Sequence, residues 1–187
     1  MRKIFGPPVT LSDGVVTMRA LTSKDVAAVT AACQGPEMAR WTAAIPSPYY
    51  EQHAIDWIAG LPARWRDGRE ASFALVDASS DELWGNFCIM TRDWKLRRGG
   101  VGYWVAAPAR SQGVATRALL RGCAWAFEDL GFDELHLETL FGNVASERVA
   151  QKGGFTFVEE SYDVRVPSRM DRTFDLKRWR RRRGDVA

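Results

Sequence analysis

The chain is poor in the residues that build metal sites, redox centres and disulfide frameworks. It has three cysteines and two histidines among 187 residues. Cys33, Cys88 and Cys123 are widely separated and form no Cys-x-x-Cys pair, which argues against a zinc site or a redox dithiol. We therefore expect reduced, mostly buried thiols, no bound metal and a cytoplasmic location.

Long apolar segments are also missing. No run approaches the ~20 apolar residues that a membrane helix needs, and no apolar stretch follows the basic residues at the N-terminus as it would in a secretory signal. These absences predict a protein without a membrane partner. The length and the hydrophobic fraction of 46% are typical of one globular domain, so we treat residues 1–187 as a single domain.

Positive charge is concentrated at the C-terminal end. Residues 177–187 contain six basic residues and one acidic residue, a net charge of +5, whereas the whole chain carries +3. This segment, from Lys177 to Ala187, is called the basic tail below. It suits a phosphate backbone or an acidic surface, but a solvated, frayed terminus is the simpler interpretation. Contact with nucleic acid is therefore the lesser alternative.

Hydrophobic periodicity and turn residues predict helices interspersed with strands. Helical spacing marks four segments: Val26–Cys33, Glu51–Arg66, 111–130 and 144–152. Runs rich in β-branched and aromatic residues mark seven strands: Val15–Leu21, Ala71–Val76, Leu83–Met90, Val101–Ala106, Glu134–Leu140, Phe155–Val158 and Arg172–Leu176. This order indicates a mixed α/β structure in which helices cover a sheet.

The segment Arg110–Thr116 is a candidate phosphate-binding loop. It joins the strand that ends at Ala106 to the 111–130 helix, with Gly113 near the helix start. The first amides of a helix lack internal partners and lie at the positive end of its dipole, and a glycine lets an anion approach them. An ordinary strand–helix turn is the alternative. Neither the Walker pattern nor Gly-x-Gly-x-x-Gly is present, so neither a P-loop nor a dinucleotide fold is indicated.

A second motif, from Asn143 to Phe155, follows the next strand. Together the two motifs resemble those of the GCN5-related N-acetyltransferase (GNAT) superfamily, in particular its RimJ/RimL-like branch. The family pattern [Arg/Gln]-x-x-Gly-x-[Gly/Ala] is matched by Arg110, Gly113 and Ala115. The pattern Asn-x-x-Ser-x-x-[Val/Leu]-x-x-Lys-x-Gly-Phe is matched by Asn143, Ser146, Val149, Lys152, Gly154 and Phe155. The resemblance implies the GNAT fold (α+β), a mixed and largely antiparallel sheet of six to seven strands flanked by about four helices.

The resemblance also implies an acyl-CoA donor, most often acetyl-CoA, and a primary amine as acceptor, on a protein N-terminus or a small molecule. The pantetheine arm would pair with the strand containing Val105 and Ala106, and one of these two amides would bind the thioester carbonyl. The pyrophosphate would bind at the helix start: Arg110, Ser111, Gln112, Gly113, Val114, Ala115 and Thr116. The sequence departs from the family at Ser111, where many relatives have glycine, and at Gly100, where many have glutamate.

Acyl transfer to an amine needs a base for the amine and a donor for the leaving thiolate. Glu138, five residues before Asn143, is the candidate base. Its alternatives are a strand carboxylate on a solvated face and a direct attack that uses no protein base. Ser146 is the candidate thiolate donor, with a helix-capping serine as the alternative. Asn143 is expected to cap the same helix and to bond to the pantetheine.

Four aromatic residues are candidates for the acceptor pocket: Trp41, Tyr49, Tyr50 and Tyr103. Packing in the core is the alternative for each of them. The resemblance also leaves open a larger acyl donor such as succinyl-CoA, a non-catalytic CoA-binding module, and a homodimer.

Overall fold

The computed structural model describes residues 5–166 and 169–185. It has five α-helices in these ranges: α1 Val26–Cys33, α2 Pro36–Trp41, α3 Glu51–Arg66, α4 Val114–Glu128 and α5 Val144–Lys152. It has eight strands in the same ranges: β1 Leu11–Ser12, β2 Val16–Ala20, β3 Glu70–Asp77, β4 Leu83–Asp93, β5 Arg98–Val105, β6 Glu134–Leu140, β7 Thr156–Val166 and β8 Arg169–Arg182.

All eight strands form one sheet in the order β1-β2-β3-β4-β5-β6-β8-β7. Neighbours are antiparallel except β5 and β6, which run parallel and are joined through α4. The predicted fold class, mixed and largely antiparallel, is confirmed. Over the described ranges the sheet has eight strands instead of six to seven, and five helices instead of four. The additions are β1, with two residues, and α2, with six, which are too short to give a periodic signal.

Helices cover both faces of the sheet. One core cluster packs α4 and α5 on one face, and a second packs α1, α2 and α3 on the other. Gly122 lets α4 lie close to the sheet, because a Cβ added there would be 2.3 Å from Phe87 Cε1 in β4. This close packing fixes the start of α4 relative to the central strands.

The prediction of a solvated basic tail is wrong for residues 177–182. These residues belong to β8, an inner strand that pairs with β6 on one side and β7 on the other. Trp179 is 4% exposed, and its indole N–H donates to Thr139 Oγ1 at 2.9 Å. Val186 and Ala187, at the end of the predicted tail, lie outside the described residues.

Basic residues of the tail lie opposite acidic residues of the neighbouring strand β6. Glu134 is paired in register with Arg182, and Glu138 with Arg178. Glu134 is only 8% exposed and accepts from Arg182 Nε at 3.2 Å. Cross-strand pairs of opposite charge stabilise a sheet, so the arginines are accommodated inside it.

Candidate active site

The central strands β5 and β6 separate halfway along their length. Their register pairs end at Val101 with Leu137. Beyond that point β5 continues to Val105 against β4, and β6 continues to Leu140 against β8. The space between the two diverging strands is called the β5–β6 gap below.

One edge of this gap is lined by backbone groups of β5. The Ala106 amide donates to Trp84 O at 2.8 Å, so it faces β4 and not the gap. Alternate residues of a strand direct their backbone groups to opposite sides, so the N–H and C=O of Val105 face the gap. Of the two amides expected to meet the thioester carbonyl, only that of Val105 has this orientation. An extended chain laid in the gap would pair with β5 as an added strand.

The start of α4 follows directly from the end of β5. Gly113 precedes the helix with φ +79°, and Ser111 also has a positive φ of +61°. The first helical bond in the turn is that from Arg117 N to Gly113 O, and no described side chain caps this end. The amides of residues 114–116 therefore face outward without a helical partner, as an anion site requires.

Two side chains of the loop before α4 donate hydrogen bonds to backbone carbonyl groups. Gln112 Nε2 donates to Pro108 O at 2.8 Å, and Arg110 Nε donates to Val105 O at 3.1 Å. The charge of Arg110 thus lies between the β5–β6 gap and the start of α4.

Ser146 and Tyr103 form a pair of hydroxyls between α5 and β5. Asn143 caps α5, since its Oδ1 accepts from the Ser146 amide at 3.1 Å. The Ser146 side chain is left for another partner, and its Oγ lies 2.9 Å from Tyr103 Oη. The capping role considered for Ser146 therefore belongs to Asn143, and the Ser146 hydroxyl lies beside a second hydroxyl.

Burial shapes the chemistry of this pair. It raises the pKa of Tyr103 to about 12, although the hydrogen bond with Ser146 acts in the opposite direction. The phenol therefore stays protonated well above neutral pH, and its proton has two acceptors within reach, the Ser146 carbonyl oxygen at 3.2 Å and Ser146 Oγ at 2.9 Å. The second of these donations is the one that concerns the Ser146 hydroxyl. When the phenol donates to Ser146 Oγ, the proton of Ser146 is free to be donated to a third group.

Glu138 lies on the opposite face of the sheet from this pair. Residues paired across parallel strands share a face, so Tyr103 projects on the side of Leu137 and Thr139, and Glu138 on the side of Trp104. A thioester passing through the gap would have hydroxyl donors on one face and a carboxylate on the other.

The Glu138 carboxylate has two arginine partners. Arg178 Nη2 lies 3.4 Å from Oε1, and Arg92 Nη2 lies 3.9 Å from Oε2. Arg92 reaches this position across Gly100, where an added Cβ would be 2.7 Å from Arg92 Nε. The glycine that replaces the glutamate of many relatives therefore leaves room for Arg92. The carboxylate is 34% exposed, so it is accessible from the solvent.

The four aromatic candidates lie in different environments. Tyr49 is 8% exposed and packs in the core cluster of α1–α3, so it is a core residue and not a pocket wall. Tyr50 is 59% exposed at the residue before α3, where its amide donates to His53 Nδ1. Tyr103 lies beside Ser146, as described above. Trp41 lines an open cavity.

That cavity is an open groove between the end of α2 and β8, and it is called the α2–β8 groove below. Its walls include Arg40, Trp41, Leu140, Phe141, Arg172 and Phe174. Sequence reasoning missed its arginines and also Arg92 and Arg178, because Arg92 falls between the predicted strands Leu83–Met90 and Val101–Ala106, and Arg178 falls in the predicted solvated tail. The alternation of basic residues at 178, 180 and 182 opposite Glu134 and Glu138 was the signal that would have found β8.

Comparison with known proteins assigns the class to which this fold and site belong. Residues 16–156, well over half of the chain, match the family described as Acetyltransferase (GNAT) domain. The chain therefore belongs to the GNAT acetyltransferase family.

Individual relatives are distant but cover most of the chain. The uncharacterized N-acetyltransferase YoaA of Bacillus subtilis (strain 168) is 24% identical over 148 residues, which are 79% of this chain and 82% of YoaA. The structure of Mycobacterium smegmatis RimJ in complex with CoA-disulfide has a TM-score of 0.78 at 22% identity, covering 96% of this chain and 88% of RimJ. A structure of RimL, the ribosomal L7/L12 alpha-N-protein acetyltransferase, in complex with coenzyme A has a TM-score of 0.81 at 13% identity, covering 96% of this chain and 100% of RimL. These likenesses agree with a RimJ/RimL-like fold.

In the ranges 5–166 and 169–185, no helix is long and apolar enough to cross a bilayer. Over the same residues, no group of three or more His, Cys, Asp or Glu side chains is arranged to hold a metal ion.

Proposed function

We propose that the protein transfers the acetyl group of acetyl-CoA to a primary amine by direct attack of the amine on the thioester. The observation that carries the proposal is the β5–β6 gap, which connects the uncapped start of α4, the Tyr103–Ser146 pair and Glu138. The RimJ structure contains CoA-disulfide and the RimL structure contains coenzyme A, which supports a CoA donor here. RimL is named as acting on a protein α-amine, which supports an amine acceptor.

The donor would lie along the gap with its pyrophosphate at α4. Phosphate oxygens would accept hydrogen bonds from the outward amides of residues 114–116, where the helix dipole favours negative charge. The pantetheine would pair with the edge of β5 that faces the gap. The amide of Val105 would donate to the thioester carbonyl oxygen, which gains negative charge as the tetrahedral intermediate forms.

The two faces of the sheet would then have separate tasks. On one face Glu138, directly or through a water, takes a proton from the amine, because only a neutral amine attacks the thioester carbon. The new C–N bond forms, the nitrogen loses its second proton to solvent, and the C–S bond breaks to release the CoA thiolate. On the other face Ser146 Oγ–H donates to the leaving thiolate, and Tyr103 donates to Ser146. The N-terminal end of α5 adds a dipole that favours the thiolate charge.

The donor assignment is tested by ligand-dependent stability. A ligand at 100 times its Kd that binds only the folded state stabilises it by about 2.7 kcal/mol, so saturating acetyl-CoA should raise Tm clearly. Ala115→Glu should abolish most of this rise, because the new carboxylate repels the pyrophosphate, while acids in the first turn stabilise the helix itself. The neutral Ala115→Gln variant is the size-matched control.

Turnover is then measured as free-thiol release with acetyl-CoA and panels of peptides, polyamines and aminoglycosides. No thermal shift with millimolar acetyl-CoA or succinyl-CoA would overturn the donor assignment. A shift without thiol release on any acceptor would favour a non-catalytic CoA-binding module. Faster release from succinyl-CoA than from acetyl-CoA would favour the larger acyl group.

A further inference from the structure

The α2–β8 groove continues from the amine side of the proposed site. Leu140 follows Glu138 by two residues in β6, so the two residues share a face and lie about 7 Å apart along the strand. Trp41 reaches the turn after β6, where a Cβ added at Gly142 would be 3.9 Å from Trp41 Cη2. An acceptor whose amine is beside Glu138 would therefore extend into this groove.

Two guanidinium groups of the groove lie over aromatic rings. Arg40 lies over Trp41 at 4.6 Å from the ring centre, and Arg172 lies over Phe174 at 4.5 Å. Arg172 also donates to Ala39 O at 3.0 Å. Stacking restrains an arginine while leaving N–H groups at its edge for a planar anion such as a carboxylate.

Among the described acids, Asp175 also lines the groove and Glu37 contacts Trp41, and each accepts a hydrogen bond from a neutral group. Asp175 Oδ1 accepts from the Asp163 amide at 3.1 Å, and Glu37 Oε2 accepts from the Trp41 indole at 3.0 Å. Among the side chains that the structure describes, the contacts of Arg40 and Arg172 are with aromatic rings and a carbonyl, and none is with a carboxylate. The described lining of the groove thus contains two arginines and one aspartate, which gives it a net charge of +1.

We propose that this groove binds an acidic side chain of a polypeptide acceptor whose α-amine lies at Glu138. The inference rests on the proposed acyltransferase function. An extended peptide advances about 3.3–3.6 Å per residue, so an Asp or Glu at the second or third position would reach the groove from the amine. A groove open along one side also suits a chain that continues into solvent better than a small molecule, which is normally enclosed.

The distance from the thioester to the groove indicates whether the arginines bind an acidic acceptor or an acidic acyl group. A succinyl group spans only about 5 Å from its thioester carbon to its carboxylate oxygens. In the proposed arrangement the amine lies between the thioester and Glu138. The groove begins about 7 Å beyond Glu138 along β6. The two arginines are therefore better placed for the acceptor than for the donor.

The test compares peptides that begin Ser-Asp and Ser-Glu with the neutral isosteres Ser-Asn and Ser-Gln, using acetyl-CoA and thiol release. We expect kcat/KM to be about fivefold higher for the acidic peptides, mainly through KM, as a partly exposed ion pair allows. Arg172→Gln and Arg40→Gln should each shrink this preference, and Arg172→Glu should reverse it towards Ser-Lys peptides. Arg66→Gln, at the exposed end of α3, is the matched control and should retain the wild-type preference.

One result would overturn the inference while leaving the proposed function standing: thiol release from acetyl-CoA with equal kcat/KM for acidic and neutral peptides. A preference for succinyl-CoA over acetyl-CoA that Arg172→Gln abolishes would assign the arginine to the acyl group, and it would overturn the inference together with the acetyl donor. Absence of thiol release with every peptide and donor would instead contradict the proposed function. The acetyl-CoA thermal shift of each variant shows that the chain is folded and binds its donor.

Discussion

The Tyr103–Ser146 pair allows a sharp test of how the leaving thiolate is stabilised. Tyr103→Phe removes one hydroxyl and keeps the ring that packs between β5 and α5. Ser146→Ala removes the hydroxyl proposed to meet the sulfur. If Tyr103 acts through Ser146, the two substitutions must be strongly coupled in turnover.

The size of the effect follows from the contact. The Tyr103 and Ser146 oxygens are 2.9 Å apart in a partly buried site, and a neutral hydrogen bond of this kind contributes about 1 kcal/mol. Tyr103→Phe should therefore lower kcat about fivefold, since 1.4 kcal/mol corresponds to a factor of ten. Ser146→Ala should lower it more, by at least about tenfold. In the Ser146→Ala background, the added Tyr103→Phe change should cost less than about twofold.

The assay is steady-state thiol release from acetyl-CoA, with urea unfolding of each variant to establish that it is folded. Tyr162→Phe is the matched control, because its hydroxyl bonds Glu160 on an exposed part of β7. Costs that multiply in the double variant would refute the relay from Tyr103 to Ser146. So would wild-type turnover in Tyr103→Phe.

Two further predictions concern the opposite face of the site and the seat of α4. Glu138→Gln should lower kcat at neutral pH by about tenfold or more, because the variant lacks the base. Acetyl-CoA affinity should not change, because Glu138 lies on the face opposite the hydroxyl pair. Thiol release measures the first effect and calorimetry the second, and an unchanged kcat would show that Glu138 is not the base. Gly122→Ala should lower the free energy of unfolding by about 1–2 kcal/mol, because overpacking against Phe87 outweighs the better helix propensity of alanine. Denaturant unfolding measures this change. Equal or greater stability of the variant would mean that α4 can shift on the sheet to make room for the added methyl group.

Sequence patterns predicted the parts of the fold whose signals are local. The bounds of α1 and α3 agree with the predicted Val26–Cys33 and Glu51–Arg66, since apolar residues at helical spacing are read from one segment alone. The motifs at Gly113 and Asn143 likewise mark the starts of α4 and α5 because capping and glycine requirements are local.

The remaining features depend on pairing between distant segments. The divergence of β5 from β6 after Val101 is a matter of register, which no single strand sequence specifies. Arg178 reads as part of a charged tail until β8 is placed beside Glu138. The contact of Tyr103 with Ser146 joins residues 43 positions apart and needs both β5 and α5 to be in place.

The position of β8 has a consequence for how the chain is made. A ribosome releases β6 about 40 residues before the strand that pairs with it, which at ordinary elongation rates is a delay of some seconds. During that interval β6 presents an open edge, and β7, which pairs with β8, has no strand to join. The strand β8 is thus the last to join the sheet. A chain released early would lack Arg182 and Arg178, the cross-strand partners of Glu134 and Glu138.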